Sequence, residues 1–294
     1  MSTKKIRIDF YQVNLGDTAT ETFEGVLARI GSLPDNNSRT AKLSEHYFRL
    51  QELDRDTHKI TGELIRIRMD QMPLRAKLDG KTKPIVFDVD EGLGEETAFL
   101  YYPQTGVLVI QRNRFGVTTG AFASYIEQKA ALDYLVEFDP ILEEDVMKRM
   151  AKMRLIRQFE VKVASAKNAQ FLKSEGFALG TVADQMKDLE APRVSVLFSM
   201  GRKRGGLRLE RVLASAKRLI KLAHEHDEAV EKVLLSGRNE DNEEEVLDLL
   251  QNRMAEFAIL KLDDLRRIPY EVRRDALEKA WTKRRDELNR MFRE

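Results

Sequence analysis

The sequence predicts an α+β fold in two domains, each a mainly antiparallel or mixed sheet with helices packed on it. Three observations predict it. The chain has 294 residues, more than one domain of ordinary size holds. Period-two alternation of apolar and polar residues recurs in both halves. Helical-period segments lie between these runs, with no internal repeat. We place the domains at residues 1–153 and 154–294, the second carrying a basic segment at 202–221.

Ile6, Ile8 and Phe10 alternate with Arg7 and Asp9, a half-buried strand. Thr22–Gly31 reads as a short helix closed by glycine, and 34–42 as turn. Strands follow near 45–53 and 60–69. Residues 88–97 read as an acidic loop. AFLYYP and VLVIQRNR flank a turn at Gln104–Gly106, a hairpin. RFGVTTGAFASYIEQKA then turns into a helix, with Thr118 or Thr119 as its cap and Phe122, Tyr125 and Ile126 as its apolar stripe. Pro140 opens a charged helix. In the second half Phe159–Val163 is a strand. Residues 167–188 form a helix interrupted at Gly176 and Gly180. Val194–Phe198 is a strand, Leu207–His224 a helix, Val230–Leu235 and 253–262 strands. Pro269 starts a final helix with Leu277, Trp281, Leu288 and Phe292 as its buried stripe. That helix and 167–188 are the two candidate dimer surfaces.

Composition excludes several classes. No cysteine is present, so disulfide scaffolds, thiolate zinc sites and cysteine nucleophiles drop out. Apolar runs reach about five residues against the ~20 of a membrane helix, and the N-terminal MSTKKIRIDFYQVNLGD has no apolar signal core. A soluble, cytoplasmic protein without direct membrane insertion is expected.

The sequence contains no GxxxxGK[ST], HExxH or GxSxG. His224 and His226 are two apart on a helix and do not share a face. Asp88, Asp90, Glu91, Glu95 and Glu96 form a carboxylate cluster of the kind metal-dependent nucleases use, though such enzymes draw their ligands from separate elements. Tyr101 and Tyr102 are read as packing residues. No cofactor, metal or catalytic residue is expected; a metal-dependent nuclease is the third-ranked alternative.

Charge is more informative. A formal net charge of +1 hides segregation. Residues 201–221 carry eight basic residues and one acid; residues 240–248 carry six acids and no base. Arg202, Lys203 and Arg204 precede Gly205–Gly206, which free the backbone to approach a phosphate, and the helix that follows offers its amides to an anion. Arg204, Arg208 and Arg211 are spaced to share a helical face, and Lys217, Arg218 and Lys221 extend the strip. Such a strip suits the phosphates of nucleic acid. Arg112 and Arg114, at a strand end, form a weaker second candidate. The bland alternative is a solvated amphipathic helix burying Leu209, Val212, Leu213 and Leu219.

The segment Val107–Gln128, VLVIQRNRFGVTTGAFASYIEQ, resembles the RexA family of phage exclusion proteins, in which a strand runs through an arginine into FGxTT and then a helix. Phe115, Gly116, Thr118 and Thr119 match that pattern, and the order of elements in the second half is similar. The stretch DEGLGEET followed by AFLYYPQTGVLVIQRN is similar to uncharacterised phage-defence proteins. The resemblance implies a homodimer with a fold like RdgC, a recombination-associated DNA-binding protein. It implies DNA binding without sequence specificity, in phage exclusion, and no catalytic motif. It assigns no role to the four motif positions. The expected function is therefore non-specific DNA binding in anti-phage defence. The alternative is a module that binds a phage or defence-system protein.

Overall fold

The computed structural model describes residues 2–164, 180–225 and 230–292. Two compact units result, Met1–Phe138 with Ala255–Glu294, and Asp139–Met254. Both are α+β with antiparallel sheets.

The first unit is built on an eight-stranded sheet. Its strands are β1 (Thr3–Leu15), β2 (Thr40–Leu43), β3 (His46–Arg55), β4 (Ile60–Arg68), β7 (Leu93–Tyr102), β8 (Val107–Arg112), β9 (Val136–Pro140) and β14 (Ala255–Lys261). The order is β14-β1-β8-β7-β4-β3-β2, with β9 also pairing β1. A separate ribbon, β5 (Leu74–Ala76) with β6 (Thr82–Pro84), interrupts the path between β4 and β7. The β7–β8 turn is closed by Gly106 at φ +63°, where a glycine is favoured.

Both faces of this sheet are covered. On one lie α1 (Phe23–Gly31), capped by Thr22, and α3 (Thr119–Lys129), capped by Thr118. Each threonine hydroxyl accepts an otherwise unpartnered amide of the first turn. Phe23, Leu27, Phe122, Tyr125 and Ile126 meet Tyr11, Leu64, Phe99, Leu108 and Phe138 there. The stretch 34–42, expected as turn, holds a one-turn helix α2 (Asn36–Arg39) capped by Asp35, and then β2.

The other face is covered by the last helix, α7 (Tyr270–Phe292). Ala276, Leu277, Ala280, Trp281 and Leu288 form its buried stripe, and Trp281 stacks on Tyr102 with ring centroids 3.7 Å apart. A long-range strand pairing, Thr3↔Lys261 through Asp9↔Ala255, precedes that helix. A serial division at 153/154 therefore does not describe the packing. Residues 255–292 return to complete the first sheet, because both its faces are apolar and one of them needs α7.

Charge is buried with that helix. Arg273, 3% exposed, lies 2.6 Å from Glu63 and 2.9 Å from Glu96. Burial pushes the Glu63 carboxyl up to about 7, against the pull of Arg273. Farther along, buried Glu256 accepts hydrogen bonds from Lys283 and Arg284. Burial works against its charge, but those bonds prevail and hold the carboxyl below its ordinary range.

The second unit has a four-stranded antiparallel sheet in the order β11-β10-β12-β13. These are β10 (Met153–Ala164), β11 (Arg193–Ser199), β12 (Val230–Asn239) and β13 (Glu244–Asp248). The described helices are α4 (Glu144–Ala151), α5 (Gly180–Asp188) and α6 (Leu209–Glu225). Val146, Met186, Val212, Ala216, Leu219 and Ile220 pack on Ile156, Phe159, Val161, Val233 and Leu235. The charged helix expected from Pro140 starts only at Glu144, since Val136–Pro140 continues a strand. The interruption at Gly176 lies outside the described residues, as does His226.

Replacing Arg273 by Met leaves Glu63 buried beside Glu96 without its cation. Removing one partner of a buried pair costs about 3–5 kcal/mol. A carboxyl raised in the folded state lowers stability as pH climbs from its unfolded value of 4.5 towards about 7. The loss in Arg273→Met is therefore expected to be larger at pH 8 than at pH 5, where Glu63 is protonated. Urea unfolding at the two pH values measures it, and equal losses would contradict the assignment.

Candidate nucleic-acid interface

Strand β11 ends at Ser199, opposite Gln158 of β10. The chain then loops back onto β10. Met200 donates its amide to the Arg157 carbonyl at 3.0 Å, and Leu207 donates to the Ile156 carbonyl at 2.8 Å. Between those two bonds lies the basic loop. Its backbone faces inward onto one side chain. The Arg157 guanidinium donates to the carbonyls of Gly201 (2.8 Å), Lys203 (3.1 Å) and Gly205 (3.2 Å). Arginine suits this role because its planar fork carries five donors. With the carbonyls turned in, Arg202, Lys203 and Arg204 are exposed.

The two glycines serve the loop itself. Gly205 has φ +97°, a conformation other residues adopt at a cost. A Cβ on Gly206 would stand 2.6 Å from Leu155 Cδ1 and 3.0 Å from the Ile156 carbonyl oxygen. The close approach that Gly206 permits is therefore to β10.

Helix α6 begins at Leu209, and the Arg208 carbonyl accepts the Val212 amide. This corrects one expectation: Arg204, Arg208 and Arg211 do not share a helical face. Arg204 belongs to the loop, because the Arg157 contacts hold 201–205 out of helical geometry. On the helix, Arg211, Arg218 and Lys221 are spaced by seven and three residues and share a stripe, with Lys217 beside it. Lys221 is half-buried and already engaged. Leu209, Val212, Leu213 and Leu219 pack on or in the core, as the amphipathic reading expected. Among the described residues no acid pairs with Arg202, Lys203, Arg204, Arg208, Arg211, Lys217 or Arg218. Elsewhere in this unit Arg149 pairs with Glu245, Lys232 with Glu160, and Arg193 and Lys162 with Glu231.

Arg112 and Arg114 belong to the other unit. Arg112 is half-buried and engaged at the end of β8; Arg114 is exposed. The four motif positions build the joint from β8 to α3. Asn113 accepts the Phe115 amide at 3.3 Å and donates to the Glu96 carbonyl at 2.9 Å. A Cβ on Gly116 would stand 2.3 Å from the Thr97 hydroxyl oxygen, and that hydroxyl accepts the Val117 amide at 3.0 Å. Thr118 caps α3 and Thr119 is buried. Phe115 alone keeps an exposed side chain.

The acidic segments are not one kind of thing. Residues 240–248 form the turn and second strand of the β12–β13 hairpin, with Glu240 paired to Lys152 and Glu245 to Arg149. The loop expected at 88–97 ends at β7, which starts at Leu93. Glu95 and Glu96 are consecutive in that strand and point to opposite faces; Glu96 is committed to Arg267 and Arg273. Among the described residues no three His, Cys, Asp or Glu side chains are grouped to hold a metal ion. Likewise no helix among them is long and apolar enough to cross a membrane.

Arg157 carries no signal of this role in the sequence. It reads as one more polar position on an alternating strand, and its three acceptors lie 44 to 48 residues away.

A family model, DUF6731, described as a family of unknown function, matches residues 1–289. No curated protein matches the chain. Nothing in the family match links it to RexA or RdgC.

Arg157→Leu removes all three carbonyl contacts. Amide exchange of residues 201–205 is expected to rise at least tenfold, while the α6 interior stays protected. Hydrogen exchange read by mass spectrometry measures this, and unchanged protection of the loop would contradict the role given to Arg157.

Proposed function

The chain belongs to the DUF6731 family, and from its own geometry we propose that it binds nucleic acid through the phosphate backbone, without sequence preference. One observation carries the reading. Arg157 fixes the backbone of 201–205 and Arg202, Lys203 and Arg204 are exposed on it; with Arg208, Arg211, Lys217 and Arg218 they form a stretch holding one acid, Glu210, and none of the seven pairs with an acid among the described residues. An exposed cation beside a carboxylate is internally balanced. Seven cations on one loop and helix, with no acid paired to them among the described residues, raise the local potential and attract a polyanion.

The chemistry needs no base-edge contact. Lysine and arginine displace condensed counterions from the phosphates, and their release supplies most of the affinity. A pre-fixed loop loses less conformational entropy on binding than a mobile one. Action in phage exclusion or anti-phage defence, homodimer formation and a cytoplasmic location join the proposal on the RexA resemblance. A second reading, a protein-binding module, draws on β14, an edge strand that exposes Phe257 and Ile259.

If about five phosphates are neutralised, log K falls against log salt with a slope of about −4.5. The triple variant Arg202→Ala, Lys203→Ala, Arg204→Ala is expected to flatten that slope by about 2.7, from roughly 0.9 for each phosphate left unneutralised, with an unchanged circular dichroism spectrum. Fluorescence anisotropy with a labelled mixed-sequence duplex at several salt concentrations checks it. Equal slopes for variant and wild type would remove the loop from the interface.

A further inference from the structure

The ribbon β5–β6 has no strong strand pattern in the sequence, and it carries a second basic surface. Its register sets Leu74 opposite Pro84, Arg75 opposite Lys83 and Ala76 opposite Thr82. Past the strands, Lys77 donates its amide to the Lys81 carbonyl at 2.8 Å, so these two residues also face each other. Gly80 then closes the tip at φ +87°, and its amide bonds to the Lys77 carbonyl at 3.1 Å. This is a three-residue hairpin with glycine at its left-handed position.

Alternation does the rest. Residues 75 and 77 point to one side of the ribbon, and 81 and 83 point to the same side. Arg75, Lys77, Lys81 and Lys83 thus occupy one face, all exposed. The other face carries Leu74, Ala76, Thr82 and Pro84. Asp79 at the tip stands 4.0 Å from Lys81; among the described residues Arg75, Lys77 and Lys83 pair with no acid. Like charges directly opposite on paired strands destabilise them, and an isolated two-stranded ribbon is marginal in water. Two such cross-strand pairs weigh against the ribbon alone, and an anion laid on that face relieves both.

We infer that this ribbon is a second contact for duplex DNA, its cationic face set against backbone phosphates; the inference rests on the nucleic-acid reading above. Cross-strand neighbours lie roughly 5 Å apart and same-face neighbours along a strand roughly 7 Å apart. Four positive groups thus fill a small rectangle, a charge density matched to a phosphate step of about 3.4 Å per strand. A two-stranded ribbon also fits the roughly 12 Å width of the major groove. Exposed Leu78 stands at the tip.

The test uses the full chain in three forms: wild type, the loop triple variant, and Arg75→Ala, Lys77→Ala, Lys81→Ala, Lys83→Ala. Each is titrated against labelled duplex DNA across salt, and against anionic phosphatidylserine vesicles. All four ribbon positions are exposed, and an unchanged circular dichroism spectrum is the check that the variant folds. A salt slope flatter by about 0.9 per cation that meets a phosphate, about 1.8 if the loop takes three of the five phosphates, supports the inference. A ribbon variant with the wild-type slope and affinity, beside a weakened loop variant, overturns the ribbon contact and leaves the nucleic-acid reading standing. A wild type that fails to bind duplex at low salt overturns both. Vesicle binding that the ribbon variant loses, with its DNA slope intact, assigns the face to anionic lipid and overturns the inference.

Discussion

Arg273 is the side chain on which the first unit turns. Its sheet is apolar on both faces, and one face also carries the carboxylates of Glu63, Glu96 and Glu256. Those groups cannot be left dry and unpaired. Helix α7 answers with Arg273 at one end, on Glu63 and Glu96, and Arg284 and Lys283 on Glu256 farther along. Between these anchors Trp281 stacks on Tyr102 and Leu277 fills the interface. Such pairs are weak contributors to net stability, but losing one partner leaves a buried charge uncompensated. They lie on the same face of the helix as its buried stripe Ala276, Leu277, Ala280, Trp281 and Leu288.

The chain's order follows from that constraint. Because β14 and α7 must return to the first sheet, the second unit is inserted between β9 and β14. Its two ends lie side by side: Leu142 and Arg253 form an isolated bridge, Met254 donates to the Ile141 carbonyl at 2.8 Å, and Glu143 to the Asn252 carbonyl at 2.9 Å. Local patterns carry no trace of this. Period two exposes β1, β3, β4 and β10. A threonine before an apolar stripe marks α1 and α3, and Gly106 marks a hairpin. The pairing of Thr3 with Lys261 spans nearly the whole chain and leaves no local signal.

The basic surfaces were legible to different degrees. Counting charges finds 202–221, but spacing alone wrongly extends α6 back to Arg204, since the three contacts from Arg157 come from a distant strand. The ribbon does have a local signal. Asp79–Gly80 is a hairpin dipeptide, and Arg75, Lys77, Lys81 and Lys83 sit at alternate positions around it. The flanking residues are too polar to look like strands, and the cations are spread too thinly to look like a cluster. The motif Phe115, Gly116, Thr118 and Thr119 was legible as sequence, and its glycine and threonines are spent on a strand-to-helix joint. Arg149, Arg273, Lys283 and Arg284 are each held by an acid. Arg202, Lys203, Arg204, Arg208, Arg211, Lys217, Arg218 and most of the ribbon cations lie within ion-pair distance of no acid among the described residues, which is how a chain of near-zero net charge can offer a polyanion a surface.

Lysine footprinting tests this division most directly. The folded chain would be acetylated briefly with and without excess mixed-sequence duplex, and each lysine read by mass spectrometry. The account predicts protection of Lys203 and Lys217, while Lys59, held by Glu278 at 2.6 Å, reacts equally in both. Uniform reactivity with and without duplex, or protection confined to acid-paired lysines, would contradict it.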